Sequence, residues 1–201
     1  MTDTVTPIVT PAANSTRQKS AWLRFGWQAV LTVALGILAV SSLGWHAALV
    51  PTIYLAMVTG ELCRADFAGH RLPNRLILPG FAFALAGMAV QWSATGHAPV
   101  LALIIGAAYF TFLLVMNLAG GMGMGDVKLG GLLGLGLGLI DVSAAFGGPL
   151  LAFVFGGVAG AWMLLTTRTA QTGPRARIPF GPFMLAGFWV AVALTPLYRA
   201  A

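Results

Sequence analysis

The chain has 201 residues, of which 58% are hydrophobic, eleven are basic and five are acidic. A water-soluble domain of this length carries charge on about a quarter of its residues, whereas here the charged share is 8% and the mean hydropathy is +0.87. These values exclude an ordinary soluble globule and indicate an integral membrane protein. The lack of a three-residue glycine period, of long polar tracts and of paired cysteines also excludes collagen-like, disordered and disulfide-scaffold proteins.

The net charge of +6 does not indicate a nucleic-acid partner. The basic residues are spread over short segments between apolar runs, which is how loop charge orients a membrane protein. We therefore expect the protein to lie in the lipid bilayer and not to bind nucleic acid.

Uncharged runs predict the helices in chain order. Residues 1–20 are polar and are predicted to be a mobile cytoplasmic tail, whereas residues 21–201 are predicted to form a single transmembrane domain. The stretch 25–60 holds no charge and accommodates two spans, broken near residues 44–46, with Pro51 in the first turn of the second helix. Further spans are predicted at about 76–92, 99–118, 148–167 and 180–197, with a shorter apolar segment at 129–140.

The short fifth segment leaves two topologies open. Leu129 to Ile140 alone cannot cross a hydrocarbon core of about 30 Å, so this segment spans only if Asp126 and Asp141 lie near opposite interfaces. If it spans and the N-terminus is cytoplasmic, Arg199 alone among the basic residues lies outside. We therefore predict an all-α fold of about seven transmembrane helices, with six as the alternative if the fifth segment is re-entrant.

Four acidic residues lie at or near membrane depth, where ionisable groups are costly and usually mark a functional site. Asp141 has no basic neighbour and fits a simple interfacial position. Glu61 can pair with Arg64 three residues later on a helix, so its predicted role is structural.

Asp66 and Asp126 are the candidate catalytic residues. Asp66 follows the cytoplasmic end of the second span and Asp126 starts the fifth, so two antiparallel helices can bring both to the same depth. Two adjacent carboxyl groups share a proton and titrate as a pair. One can then activate water while the other protonates a leaving group, which is the chemistry of an aspartic peptidase.

Glycines surround Asp126 in the segment GGMGMGDVK, residues 120–128. Glycine allows close backbone approach, which an extended substrate strand needs to reach an acid at membrane depth. Gly130, Gly134 and Gly138 have the four-residue spacing that is instead typical of helix packing in membranes.

Three motifs in chain order resemble the prepilin peptidase family, also called the type IV leader peptidase family, of Gly-x-Gly-Asp intramembrane aspartic proteases. GMGDVKL, from Gly123, is similar to the motif of the second catalytic aspartate. Asp66 and the downstream HRLPNR resemble the motif of the first, with Asn74 where some members carry a second Asp. IPFGPF, residues 178–183, is similar to the segment that opens the last span.

The resemblance implies a membrane aspartic endopeptidase of the bacterial inner membrane, with its active site facing the cytoplasm. Its substrates would be type IV prepilin-like or pseudopilin precursors, which carry a basic leader before the cut and a hydrophobic helix after it. The catalytic pair would be Asp66 and Asp126, and no cofactor or metal is expected. Residues implied to shape the site or contact the substrate are Gly123, Gly125, Lys128, Pro179, Phe180 and Gly181.

Larger family members have a segment with paired Cys-x-x-Cys motifs that is associated with methylation of the mature N-terminus. Here Cys63 is the one cysteine, which excludes a four-cysteine zinc site, and the turn 44–47 between the first two spans can hold no domain. We therefore expect peptidase activity without N-methyltransferase activity.

Two alternatives stay open at this stage. A small transporter or channel could also use acid-lined helices broken by glycine, although the chain shows no inverted repeat. Within the peptidase interpretation, the substrate could be a pseudopilin of type II secretion or a pilin of a type IV pilus or adhesion system.

Overall fold

The computed structural model describes residues 11–166 and 179–200, and within these ranges it contains seven helices and no strand. The helices are α1 (Pro11–Leu43), α2 (Leu49–Gly69), α3 (Asn74–Thr95), α4 (Val100–Leu118), α5 (Met124–Ile140), α6 (Val142–Thr166) and α7 (Gly181–Ala200). The predicted all-α class is confirmed, as is the break between the first two helices.

Among the described residues, four helices are long and apolar enough to cross a membrane, over Gly26–Leu43, Asn74–Thr95, Val100–Leu118 and Val142–Met163. Helix α2 has 21 residues but carries charged side chains in its second half, and α5 has 17 residues. The apolar part of α7 is Gly181–Leu197. The chain is therefore a multi-pass, all-α membrane protein.

Two helices begin earlier than the sequence predicts. Helix α1 begins at Pro11, within the segment predicted to be a polar tail, while residues 1–10 lie outside the described chain. Helix α6 begins at Val142 and not near Gly148, because Asp141 caps it. The Asp141 Oδ1 atom accepts a hydrogen bond from the Ser143 N–H at 2.6 Å, which satisfies a main-chain donor of the first turn.

Helix α5 lies at the centre of the bundle. Every residue from Leu129 to Ile140 is buried, and α3, α4, α6 and α7 all pack against this helix. A Cβ atom at Gly138 would lie only 2.7 Å from the Ala102 Cα atom of α4. Glycine thus lets the two backbones approach, and the predicted packing role of the glycine stripe is confirmed.

Neighbouring helices of the bundle alternate in direction. Helix α4 is antiparallel to α5, since Gly138 faces Ala102 while Gly130 faces Leu113. Helix α6 starts at Val142, beside the end of α5, and runs back along it. Helix α5 therefore passes from one end of the bundle to the other, as the seven-span prediction requires.

This alternation gives the bundle two distinct ends. The ends of α2 and α4 and the starts of α3, α5 and α7 lie together at one end, here named the site end. It carries Arg64, Arg71, Arg75 and Lys128. The opposite end carries residues 44–48, Asp141 and Arg199, whose guanidinium donates to the Leu43 carbonyl at 3.4 Å.

A tyrosine ties α4 to α6 within the apolar region. Pro149 lies inside α6 and cannot donate to the carbonyl of Ala145, four residues earlier. The Tyr109 hydroxyl of α4 donates a hydrogen bond to that carbonyl. The carbonyl that proline leaves unbonded is thereby satisfied at membrane depth, where water is scarce.

Candidate active site

Asp66 lies in the last turn of α2, and 4% of its surface is exposed. Its Oδ2 atom accepts a hydrogen bond from the main-chain N–H of Gly181, the first residue of α7, at 2.9 Å. Helix α2 ends here because His70 adopts the left-handed conformation, with φ of 49°, and donates its N–H to the Asp66 carbonyl. The end of α2 and the start of α7 thus position this carboxyl group.

Asp126 lies in the first turn of α5. Its Oδ2 atom accepts a hydrogen bond from the Gly123 N–H at 3.2 Å, which caps the helix, and an acid in the first turn also suits the helix dipole. Its Oδ1 atom is buried and has no hydrogen-bond partner among the described residues. The cap therefore uses one carboxyl oxygen of Asp126 and leaves the other available to bind a substrate or water molecule.

The structure brings the two candidate acids together at the site end, close enough for Asp66 to act electrostatically on Asp126. Leu72 is buried between the start of α5, which carries Asp126, and the start of α7, whose Gly181 binds Asp66. A Cβ atom at Gly125 would be 2.9 Å from Leu72 Cβ, and one at Gly181 would be 3.5 Å from Leu72 Cδ1. Leu72 thereby separates the start of α5 from the start of α7.

Glycine leaves room for each carboxyl group where the backbone meets it. A Cβ atom at Gly181 would lie 2.9 Å from Asp66 Oδ2, and one at Gly123 would lie 3.3 Å from Asp126 Oδ2. Any larger residue at Gly181 would push the carboxyl group away from the N–H that binds it.

The other residues singled out by the sequence lie around this pair. The Lys128 Nζ atom donates a hydrogen bond to Asn74 Oδ1 at 3.1 Å, joining the starts of α5 and α3. Phe180 points towards α6, with its ring centroid 5.3 Å from that of Phe153. Pro179 is half-buried just before it. Ile178 lies outside the described residues, as do Arg168, Arg175 and Arg177 between the last two predicted spans.

Glu61 forms the predicted ion pair with Arg64, whose Nε atom is 2.9 Å from Glu61 Oε2. This pair occupies the exposed side of α2. Within residues 11–166 and 179–200, no group of three or more His, Cys, Asp or Glu side chains is arranged to hold a metal ion.

Two residues of the site were missed by sequence reasoning, namely Leu72 and His70. His70 ends α2 and lies close enough to interact electrostatically with Asp66. The signal for Leu72 was its position as an apolar residue between charged and polar neighbours in HRLPNR. That pattern indicates an inward-facing side chain in an otherwise solvated connection.

The type IV leader peptidase family matches residues 52–165. The chain is similar to the prepilin leader peptidase/N-methyltransferase of Bacillus subtilis (strain 168), with 33% identity over 118 residues, which are 58% of this chain and 44% of the relative. The match therefore spans less than half of that relative's length. No solved structure matches the chain.

Proposed function

The chain belongs to the type IV leader peptidase family, and we propose that it cleaves the leader from prepilin-like or pseudopilin precursors by aspartic peptidase chemistry. The observation that carries this proposal is the placement of Asp66 and Asp126 at the same end of the bundle, within electrostatic range of each other and each bound by a main-chain N–H. The site would face the cytoplasm from the bacterial inner membrane.

The geometry supports a reaction in which the two carboxyl groups share one proton. The unprotonated carboxylate takes a proton from water, whose oxygen attacks the scissile carbonyl. The protonated partner donates its proton to the leaving amine, and the peptide bond breaks. The buried Asp126 Oδ1 atom is suited to accept a hydrogen bond from that water, or to donate one to the substrate carbonyl when it carries the shared proton, because an unpartnered buried oxygen is costly until such a group arrives.

Replacement of either acid tests this proposal. Asp66→Asn and Asp126→Asn keep the shape of the side chain but remove the shared proton, so we expect cleavage to fall by several orders of magnitude. Asp141→Asn is the matched control, because Asn also caps helices and residue 141 lies at the opposite end of the bundle. Processing of a co-expressed prepilin in membranes is the measurement. Near wild-type processing by either site variant would refute the assignment.

We further propose that this enzyme does not methylate its product. A methyl transfer from S-adenosylmethionine needs a folded, water-exposed cofactor site, whereas residues 44–48 alone connect α1 to α2 and the chain has one cysteine. Mass spectrometry of mature pilin made by the purified enzyme with S-adenosylmethionine present tests this. A product heavier by one methyl group would contradict it.

A further inference from the structure

An apolar groove of about 630 Å³ opens between α4 and α6. Both helices pack on α5 but hardly on each other, and α5 and α7 form the floor of the groove. Phe146 and Leu150 on its rim are 74% and 66% exposed. Its walls include Ile104, Ala108 and Phe112 of α4 and Phe146, Leu150 and Phe153 of α6.

The groove extends towards the site end of the bundle as far as Phe180. Three aromatic rings cross it towards the site end, with Phe112 and Phe153 5.8 Å apart and Phe153 and Phe180 5.3 Å apart between ring centroids. Phe180 directly precedes Gly181, whose N–H holds Asp66. A segment lying in the groove therefore contacts this aromatic row one residue from the main-chain partner of Asp66.

The lining favours an apolar helix as the occupant. Among the described residues that line the groove, Tyr109 alone has a polar side chain, and its hydroxyl is bonded to the Ala145 carbonyl. Because the groove has so little to offer main-chain N–H and C=O groups, a polypeptide in it must satisfy its own, as a helix does. The part of α4 from Leu101 to Phe112, which lines the groove, is about 16 Å long. The groove can therefore hold about three turns of a helix.

We propose that this groove holds the apolar helix that follows the cleavage site of the substrate, so that the bond to be cut lies between Asp66 and Asp126. The proposal rests on the proposed function, because a precursor cut at the membrane surface continues from the carboxyl pair into the bilayer. The groove ends at Phe180, one residue before the main-chain partner of Asp66, and this position favours a substrate helix over a lipid acyl chain.

Two substrates separate groove binding from catalysis. One is a full-length precursor, and the other is a peptide with the leader and cleavage site but without the apolar helix. Ala108→Phe places a ring in the groove, and Ala107→Phe is the matched control, since Ala107 is a neighbouring exposed residue of α4 that does not line it. We expect Ala108→Phe to lower kcat/KM for the full-length precursor about tenfold, mainly through KM. Its rate on the short peptide, and both rates of Ala107→Phe, should match wild type.

The outcomes that overturn the proposal are distinct. Equal loss on both substrates would mean that Ala108→Phe disturbs the carboxyl pair. Unchanged rates on both would assign the groove to lipid. If wild type cleaved neither substrate, the proposed function would fail, and not merely the groove assignment.

Crosslinking provides a second measurement that does not require activity. In an Asp126→Asn, Cys63→Ser background, which retains uncut precursor, Ile104→Cys and Leu150→Cys should form disulfides with a cysteine in the precursor's apolar helix. Leu85→Cys on α3 is the control, because Leu85 is 57% exposed and Ile104 is 60% exposed. Crosslinks of equal yield from Leu85, or none from the groove positions, would refute the assignment.

Discussion

Asp66 and Asp126 are each bound by the main-chain N–H of a glycine, Gly181 and Gly123 respectively. A main-chain donor at the start of a helix cannot rotate away as a side chain can. Such fixed donors preorganise the charged groups of an active site without a cost at the moment of reaction. Because Gly123 and Gly181 lack a side chain, their backbone N–H groups can reach the two acids.

The contact between Gly125 and Leu72 gives a direct prediction. Gly125→Ala would place its Cβ atom 2.9 Å from Leu72 Cβ, so the connection between α2 and α3 must move relative to the start of α5. Because a misplacement of about 1 Å can cost about 100-fold in rate, we expect cleavage to fall by about that factor with little loss of folded protein. Gly121→Ala is the control, since its Cβ atom would meet only the Met116 carbonyl oxygen, at 3.6 Å. Equal activity of the two variants would show that Leu72 does not set the site geometry.

Lys128 is expected to support the reaction without performing it. Its Nζ atom donates a hydrogen bond to Asn74 Oδ1 at 3.1 Å. Because Lys128→Ala removes only this one exposed hydrogen bond, we expect activity to fall by less than about tenfold. Asn74→Ala should have a similar effect, and the double variant should be no worse than either single variant. Steady-state kinetics on all three variants checks this. Complete loss in a correctly inserted Lys128→Ala protein would instead make Lys128 a catalytic residue.

Helix α5 shows at the element scale how a short helix can serve a membrane protein. Its 17 residues extend about 25 Å at 1.5 Å per residue, less than the hydrocarbon core of about 30 Å. Because the helix is surrounded by α3, α4, α6 and α7, it does not have to match the bilayer thickness. Asp126 at its start and Asp141 after its end can both remain near polar surroundings.

The packing of α5 on α4 predicts a large effect of one methyl group. A Cβ atom at Gly138 would lie 2.7 Å from Ala102 Cα, so Gly138→Ala must push two backbones apart. We expect a loss of about 1–3 kcal/mol in the free energy of unfolding, measured by thermal denaturation in detergent. Gly157→Ala on α6 is the control, with nothing within 4 Å of its Cβ atom, and should be neutral or slightly stabilising because Ala favours helix. A stable Gly138→Ala protein would contradict this close packing.

At the scale of the whole molecule, the described residues have an asymmetric distribution of charge. Arg64, Arg71, Arg75 and Lys128 lie at the site end, whereas Arg199 lies at the opposite end. Basic residues concentrate on the cytoplasmic side of membrane proteins. The bundle as a whole therefore favours an orientation with the carboxyl pair at the cytoplasmic face.

Cysteine labelling in a Cys63→Ser protein tests that orientation. Gly121→Cys at the site end should react with a membrane-impermeant thiol reagent only after the cells are opened. His97→Cys, between α3 and α4 at the opposite end, should react in intact cells with a permeable outer membrane. Both positions are exposed, so their reactivity reports compartment and not burial. The reverse pattern would overturn the predicted topology.

The sequence by itself determined the features that depend on neighbours in the chain. Apolar runs predicted the helices, because burial in lipid requires an uninterrupted length of apolar residues. The Glu61–Arg64 pair and the glycine stripe of α5 also follow from local spacing, since residues three or four apart share one face of a helix. The three motifs identified the family for the same reason, as each is a short continuous segment.

Only the tertiary structure decided how these segments meet. The hydrogen bond from Gly181 to Asp66 joins residues 115 positions apart, and that between Lys128 and Asn74 joins residues 54 apart. No local pattern specifies such contacts, because they depend on how the side chains of α2, α3, α5 and α7 fit together when packed. The position of Leu72 between the starts of α5 and α7 and the groove between α4 and α6 arise in the same way, from the packing of whole helices around α5.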